Sequence, residues 1–437
     1  MAINRRQFIK RSASAVTVSL MMPKLWLGQA HGQSINPAGR KIFVVIQLGG
    51  GNDGLNTVVP YTNSAYHSLR PVLGFKDTEL KDANGNSTIL GNEPFGLNPA
   101  LGELKGLYDA GKMAVVLGVG YPGSNLSHFL STDIWMTADI VGGKGSGWLG
   151  KYADQKLAGQ SSLSAVNIGG SLPKAFFADN VVVPSISNFT KYTYQTDNRF
   201  AGDRNNQINT FHATNQRDFT NGSFEKAIAE ASVGAVDGAA QLKAAVDTYT
   251  SPVVYPAGAG FSNKAVQFAG AMKMAAQIVT TIPEANLLYV QMGGFDNHSH
   301  QIGTADDNFT NKTLGEHADL LKALSLGVKA FYDDMAAHNL ADNVVMMTFS
   351  EFGRRPNENA STGSDHGTAS SLFVIGNPVQ GGKLYGEQPS LTDLDPTNNM
   401  KFKTDFRSVY ATILDKWLGA DSQSILGARF DDLGFLG

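Results

Sequence analysis

The sequence predicts an α/β sandwich around a largely parallel sheet. Short β-branched runs end repeatedly in Gly-rich or polar turns, helical patterns lie between several of them, and 42% of the 437 residues are hydrophobic, enough for a large core. The runs at Lys41–Leu48, Met113–Val119, Ala165–Ile168, Leu287–Met292, Val344–Phe349 and Leu372–Ile375 read as strands buried on both faces, because their apolar residues are continuous rather than alternating. Asn98–Lys112 and Glu316–Asn339 read as helices. In the second, Leu320, Leu321, Leu324, Val328, Phe331, Tyr332 and Met335 recur at helical spacing. Thr404-Asp405 caps a last helix through Val409, Ile413, Leu414 and Trp417, which Gly419 closes. The stretch 180–256 is polar and rich in Asn, Thr, Gln and Ala, with a helical section at Phe224–Thr248. It reads as an insertion over the sheet, a potential lid, within one domain spanning 31–437.

The amino end reads as an address. The chain has 35 basic and 38 acidic residues, net −3, yet Arg5, Arg6, Lys10, Arg11 and Lys24 stand in the first thirty residues with no acid; the remainder therefore carries 30 basic against 38 acidic, net −8. An Arg pair followed by Phe8 and Lys10, the apolar run Ala13–Leu27 and the small-residue exit Gly28-Gln29-Ala30 resemble a twin-arginine signal over 1–30. That predicts a periplasmic or secreted protein whose partner is the twin-arginine export machinery. Pro23 and Lys24 break the run below the roughly 20 residues that span a bilayer, and no later segment qualifies, so no transmembrane segment is expected in the mature protein. The acidic mature chain disfavours nucleic acid as a partner.

The absence of Cys excludes thiolate metal sites, iron–sulfur clusters and cysteine nucleophiles. Gly49-Gly50-Gly51-Asn52-Asp53-Gly54 satisfies the dinucleotide pattern after a strand, but the following Leu55-Asn56-Thr57-Val58-Val59-Pro60 is β-branched and ends in proline, where the pattern needs a helix. No G-x-S-x-G, phosphate-loop or H-E-x-x-H pattern is present.

What carries chemistry is the placement of acids and histidines at strand ends. Asp53 follows the first strand, Asp296, His298 and His300 the fourth, and Glu351 the fifth; Asp365 and His366 lie on the loop leading to the sixth. Brought to one sheet edge, these seven carboxylates and imidazoles call for a cation, since uncompensated carboxylates repel. Without sulfur, the donor set suits zinc or manganese, one or two ions. A hydroxyl at a helix start can act as nucleophile. Ser127 is the first choice and Ser124 the second, each with helix capping as its ordinary alternative. Arg354 or Arg355 can bind charged oxygens of a substrate. His31, His67, His212 and His338 are assigned no chemistry, and His317, in the first turn of a helix, reads as surface.

Val45-Ile46-Gln47-Leu48-Gly49-Gly50-Gly51-Asn52-Asp53-Gly54-Leu55-Asn56-Thr57, Ser127-His128-Phe129, Gly294-Phe295-Asp296-Asn297-His298, Phe349-Ser350-Glu351-Phe352-Gly353-Arg354, Asp365-His366-Gly367 and Gly381-Gly382 together resemble the bacterial, twin-arginine-exported family called domain of unknown function 1501. The resemblance covers nearly the whole mature chain. It implies the alkaline phosphatase and sulfatase superfamily: an α/β/α sandwich with a two-metal site at the strand ends. Carried over, that pattern implies one metal site from Asp296, His300 and His366, and a second from Asp53, Glu351 and Ser127 or Ser124. The chain departs from it twice. Ser350-Glu351 stands where the superfamily has an Asp-His pair, and the narrower family's histidine is His298 rather than His300. The Cys or Ser motif of sulfatases is absent. The expected function is an exported, metal-dependent phosphoric-ester hydrolase acting on an anionic ester; the alternative is a non-catalytic protein that binds an envelope glycan and keeps one metal as a structural clip.

Overall fold

A computed structural model describes residues 39–189, 192, 199–200, 202–220 and 224–437, so the segment 1–30, expected to be a signal, lies outside the described residues. The strands are β1 (Ile42–Gly49), β2 (Val58–Val59), β3 (Gly96–Leu97), β4 (Met113–Gly120), β5 (Ala165–Ile168), β6 (Leu287–Gly293), β7 (Val344–Phe349), β8 (Gly353–Glu358), β9 (Ser364–Gly367), β10 (Ser370–Ile375), β11 (Lys383–Gly386) and β12 (Thr404–Asp405). The α-helices are α1 (Gly54–Thr57), α2 (Ser64–Leu69), α3 (Gly102–Asp109), α4 (His128–Thr137), α5 (Trp148–Lys156), α6 (Asp203–Asn215), α7 (Phe224–Thr248), α8 (Asn263–Thr281), α9 (Glu316–Ala337), α10 (Phe406–Thr412) and α11 (Ser422–Leu426).

The central sheet runs β11-β4-β10-β7-β1-β6-β5, with β12 also paired to β4. All six expected strands belong to it, and the fold is the expected mixed α/β type with a largely parallel sheet. Along β1, Ile42, Val44, Ile46 and Leu48 face one apolar layer that includes residues of α3, α8 and α9, while Phe43 and Val45 face a second with residues of α4, α5 and α10. Helices on both faces explain why the strand sequences do not alternate.

One strand departs from the parallel rule, and the site depends on it. β10 is antiparallel to both β4 and β7, whereas β1 runs parallel to β6 and β7. A strand that runs backwards begins at the edge where its neighbours end. The β8–β9 hairpin that feeds β10 is thereby delivered to the carboxyl edge of β1, β4, β6 and β7. Were β10 parallel, Asp365 and His366 would lie at the opposite edge.

Two helical expectations are adjusted. Asn98–Lys112 is a 3-10 turn at Pro99–Leu101 followed by α3. A helix does open at Gly54, but it has four residues, ends where β-branched Val58 begins β2, and is capped by Asp53, whose carboxylate accepts from Leu55 N at 3.2 Å. The dinucleotide resemblance fails because a carboxylate of the chain already occupies the anion position. In the stretch 180–256, α7 matches the expected helix. The segment after it is tied to buried Asp334 by Tyr249, by Ser251 (3.0 Å) and by Tyr255 (2.8 Å). Asp334 lies about 25 Å along α9 from His317 at 1.5 Å per residue, so the segment 249–255 docks away from the site described below.

The β1 and β6 loops touch at Gly50, whose φ is +124° and where a Cβ would stand 2.5 Å from Asp296 N. Gly50→Ala should therefore lower stability by about 1–3 kcal/mol in chemical denaturation. Gly270→Ala, mid-helix with open space around the added methyl, should raise it by up to about 1 kcal/mol. Equal effects at the two positions would contradict the close approach at Gly50.

Candidate metal centre

The site sits where the chain leaves β4, β6 and β7 and enters β10. Arg354, on β8, is 1% exposed and holds two loops and strand β9 together. Its Nε donates to Gly51 O (2.6 Å), Nη1 to Ser364 O (2.8 Å), and Nη2 to Gly50 O, Phe295 O (3.0 Å) and Asp296 Oδ1 (2.8 Å). The expectation that Arg354 binds a substrate is corrected: its donors are consumed by backbone carbonyls and by Asp296, and it faces inward.

Asp296 is the centre of the cluster. Oδ1 lies 3.1 Å from His366 Nε2 and 3.1 Å from His298 Nε2, and Oδ2 lies 3.4 Å from His128 Nε2. Partial burial works to raise its pKa, but the hydrogen bond and charge of Arg354, together with the neighbouring imidazoles, outweigh that and hold it at about 2. One ligand atom each from His128, Asp296 and His366 falls within 4.8 Å of the others. His298 completes the group, its Nε2 2.9 Å from that of His366.

Each imidazole is fixed from behind. His128 Nδ1 is 2.9 Å from Glu351 Oε1, His298 Nδ1 is 3.2 Å from Asp365 Oδ1, and His366 Nδ1 is 2.9 Å from Leu126 O. Carboxylate and carbonyl oxygens only accept, so the proton of each neutral ring sits on Nδ1 and the Nε2 lone pair points inward. With neutral rings, three lone pairs and a carboxylate then face one another with no donor among them, an arrangement that a cation between them, or a proton taken up by one ring, would relieve. The separations around Asp296 and between His298 and His366, 2.9 to 3.4 Å, approach the roughly 3.4 Å between ligands of a tetrahedral ion with bonds near 2.1 Å. The residues therefore fit a divalent metal, and the backing acceptors are those that commonly orient metal-bound histidines.

The remaining expected residues fall elsewhere. Glu351 and Asp365 orient histidines rather than facing inward: Glu351 Oε1 also accepts from Gly50 N (2.8 Å), and Asp365 Oδ1 from Asn359 Nδ2 (3.1 Å). His300 has φ +51° and stacks on Phe309 with ring centroids 3.9 Å apart, so of the two candidates on that loop it is His298 that joins the cluster. Asp53 is buried in an ion pair with Arg70 (2.6 Å) and accepts from Gln301 (2.6 Å). Burial pushes its pKa up, and the charge and hydrogen bond of Arg70 more than offset this, leaving it below the ordinary value. Ser350 donates to Leu48 O (2.6 Å) and accepts from Asn52 N (2.9 Å), stitching β7 to the β1 loop. Ser124 Oγ donates to Tyr121 O (2.7 Å), whereas exposed Ser127 stands at the N-cap of α4 without a side-chain capping bond.

His128 carried no role in the sequence reading. Its only signal was a histidine at a helix start on the loop after β4, beside the serine under consideration. His317 is corrected from surface to core: it is 2% exposed and bonds Asn52 Oδ1 at 3.0 Å. Burial, with help from Arg70 and Arg354 against the pull of Asp53, lowers its pKa from 6.5 to about 4.

Fold and site together define an α/β protein with a histidine–carboxylate cluster at the carboxyl edge of its sheet, a possible metal site. The family described as "Protein of unknown function (DUF1501)" matches residues 118–432, and the chain belongs to it. A comparison with curated proteins returned no match. Among solved structures, Ps i-CgsB in complex with k-i-k-neocarrahexaose is similar at TM-score 0.36 and 12% identity, over 91% of this chain and 74% of that one. A protein in the alkaline phosphatase superfamily from Vibrio parahaemolyticus is similar at 0.35 and 10% (89% and 72% covered), and the PsFucS1 sulfatase from Pseudoalteromonas sp. at 0.35 and 9% (98% and 72%).

The folded protein keeps His317 neutral down to about pH 4, while the unfolded chain protonates near 6.5. Unfolding thus takes up a proton between those values, and stability falls as pH drops through that window. His317→Gln, which keeps a donor for Asn52, should flatten the fall in Tm between pH 6.5 and 4; an unchanged pH profile would show that His317 is not held neutral.

Proposed function

We propose that this protein is an exported, metal-dependent hydrolase of phosphoric or related esters. The observation that carries the reading is the convergence of three Nε2 lone pairs on Asp296, each ring held by an acceptor at Nδ1. His128, Asp296 and His366 would hold the ion, zinc or manganese on donor type, with His298 beside it. A bound divalent cation supplies Lewis acidity toward an ester oxygen and charge stabilisation in the transition state.

The chain's own groups fit that chemistry. The side chains of Asp296 and His298 are 46% and 45% exposed, so the centre opens to solvent, which favours a reacting site over a closed structural clip. Ser127 is exposed, adjoins His128 and sits at the positive end of a ten-residue helix. In the proposed step its Oγ forms a bond to phosphorus as the ester P–O bond breaks, the alcohol leaves with the serine proton, and water then cleaves the phosphoserine to regenerate the hydroxyl.

Among the described residues no helix is long and apolar enough to cross a membrane. Export by the twin-arginine route rests on Arg5 and Arg6 in the amino-terminal segment. Arg5→Lys with Arg6→Lys should leave the protein in the cytoplasm on fractionation.

Purified mature protein, stripped with a chelator and assayed on phosphomonoesters and diesters, should be inactive and recover with zinc or manganese. Ser127→Ala should lower kcat by about a hundredfold or more with metal content unchanged. Protein that hydrolyses none of these esters under any metal would sink the reading.

A further inference from the structure

The geometry points to a mononuclear centre, in which the guanidinium of Arg70, and not a second metal ion, neutralises Asp53. This inference rests on the metal reading above and departs from the two-ion pattern that the family resemblance implies, in which Asp53 and Glu351 help to hold the second cation.

Both of those carboxylates are buried and already engaged by the protein. Arg70 Nη1 reaches Asp53 Oδ2 at 2.6 Å, with the two side chains 0% and 2% exposed. Gln301 Nε2 donates to the same oxygen at 2.6 Å, and Leu55 N to the other at 3.2 Å. Arg70 cannot swing aside, because its Nε donates to Pro356 O (2.9 Å), its Nη2 to Arg355 O (2.8 Å) and its Nη1 also to Asn56 Oδ1 (2.9 Å). Glu351, with its side chain 3% exposed, spends Oε1 on Gly50 N (2.8 Å) and His128 (2.9 Å), while Oε2 lies 3.3 Å from Ser350 Oγ, whose proton goes to Leu48 O. A divalent cation on Asp53 would stand against a fixed guanidinium in a buried site, where like charges are poorly screened, and would have to break a buried ion pair. Asp296 also has a guanidinium behind it, Arg354 at 2.8 Å from Oδ1, but its side chain is 46% exposed where that of Asp53 is 2% exposed, and its Oδ2 faces His128 rather than the guanidinium, so an ion can approach from the open side without breaking a buried pair.

Metal content decides this without recourse to turnover. Metal-stripped wild-type protein titrated with Mn(II) or Zn(II), followed by calorimetry and by elemental analysis after desalting, should take one equivalent per chain. The Mn(II)-loaded protein should give the spectrum of an isolated ion by electron paramagnetic resonance, without the coupling expected of two ions about 4 Å apart. Asp296→Asn should weaken binding tenfold or more, as loss of a ligand does, while Asp53→Asn should still take one equivalent. Two equivalents in wild type with a coupled spectrum, one of them lost in Asp53→Asn, would overturn the mononuclear inference and leave the metal reading standing. Binding of no ion at all would overturn both. The wild-type titration and spectrum decide the question even if Asp53→Asn does not fold.

Discussion

A single buried guanidinium organises this molecule's chemistry. Arg354 satisfies carbonyls from the loop after β1, the loop after β6 and strand β9, and bonds Asp296 in the same fan of donors. An arginine in the interior is stable only when its donors are paired, and here the pairing groups are the loop backbones themselves. The charge therefore does two jobs. It brings together segments that the sheet delivers separately, and it holds the central carboxylate ionised and oriented toward the histidines.

Around that anchor, every imidazole has a second partner that fixes its tautomer. Glu351 behind His128, Asp365 behind His298 and the Leu126 carbonyl behind His366 are not facing groups, yet the inward lone pairs depend on them. A second buried arginine, Arg70, performs the parallel task beneath the first loop, bonding Asp53 and the backbone of β8. Two cations supplied by the protein thus set the positions of two acids that look equivalent in the sequence and are not. Asp296 is nearly half exposed at the centre of a cluster, and Asp53 is sealed in an ion pair.

Much of this was legible in the chain. The six principal strands, helix α9, the Phe224–Thr248 helix and the cap at Asp405 follow from apolar periodicity and capping chemistry, which are local properties. Asp296, His298 and His366 stood out because histidines and acids crowd strand ends there. What misled was also local. His317 sits in a first helical turn, an exposed position on most helices, but here it faces the loop carrying Asn52. His300 matches the superfamily's Asp-x-x-x-His spacing, yet its left-handed backbone turns the ring onto Phe309. His128 was overlooked beside a serine that drew attention as a nucleophile.

The sequence by itself determined the layering of the fold, the donor chemistry of the site and the absence of sulfur from it, because residue type and spacing suffice for those. Only the tertiary structure decided which carboxylates face the centre and which stand behind it. That outcome depends on the reversed direction of β10, which carries the β8–β9 hairpin to the carboxyl edge, and on Arg70 and Arg354, whose partners are up to 304 residues away in the chain. Long-range pairing of this kind leaves no periodic mark on a sequence, since a buried arginine reads the same as a solvated one until its partners are known.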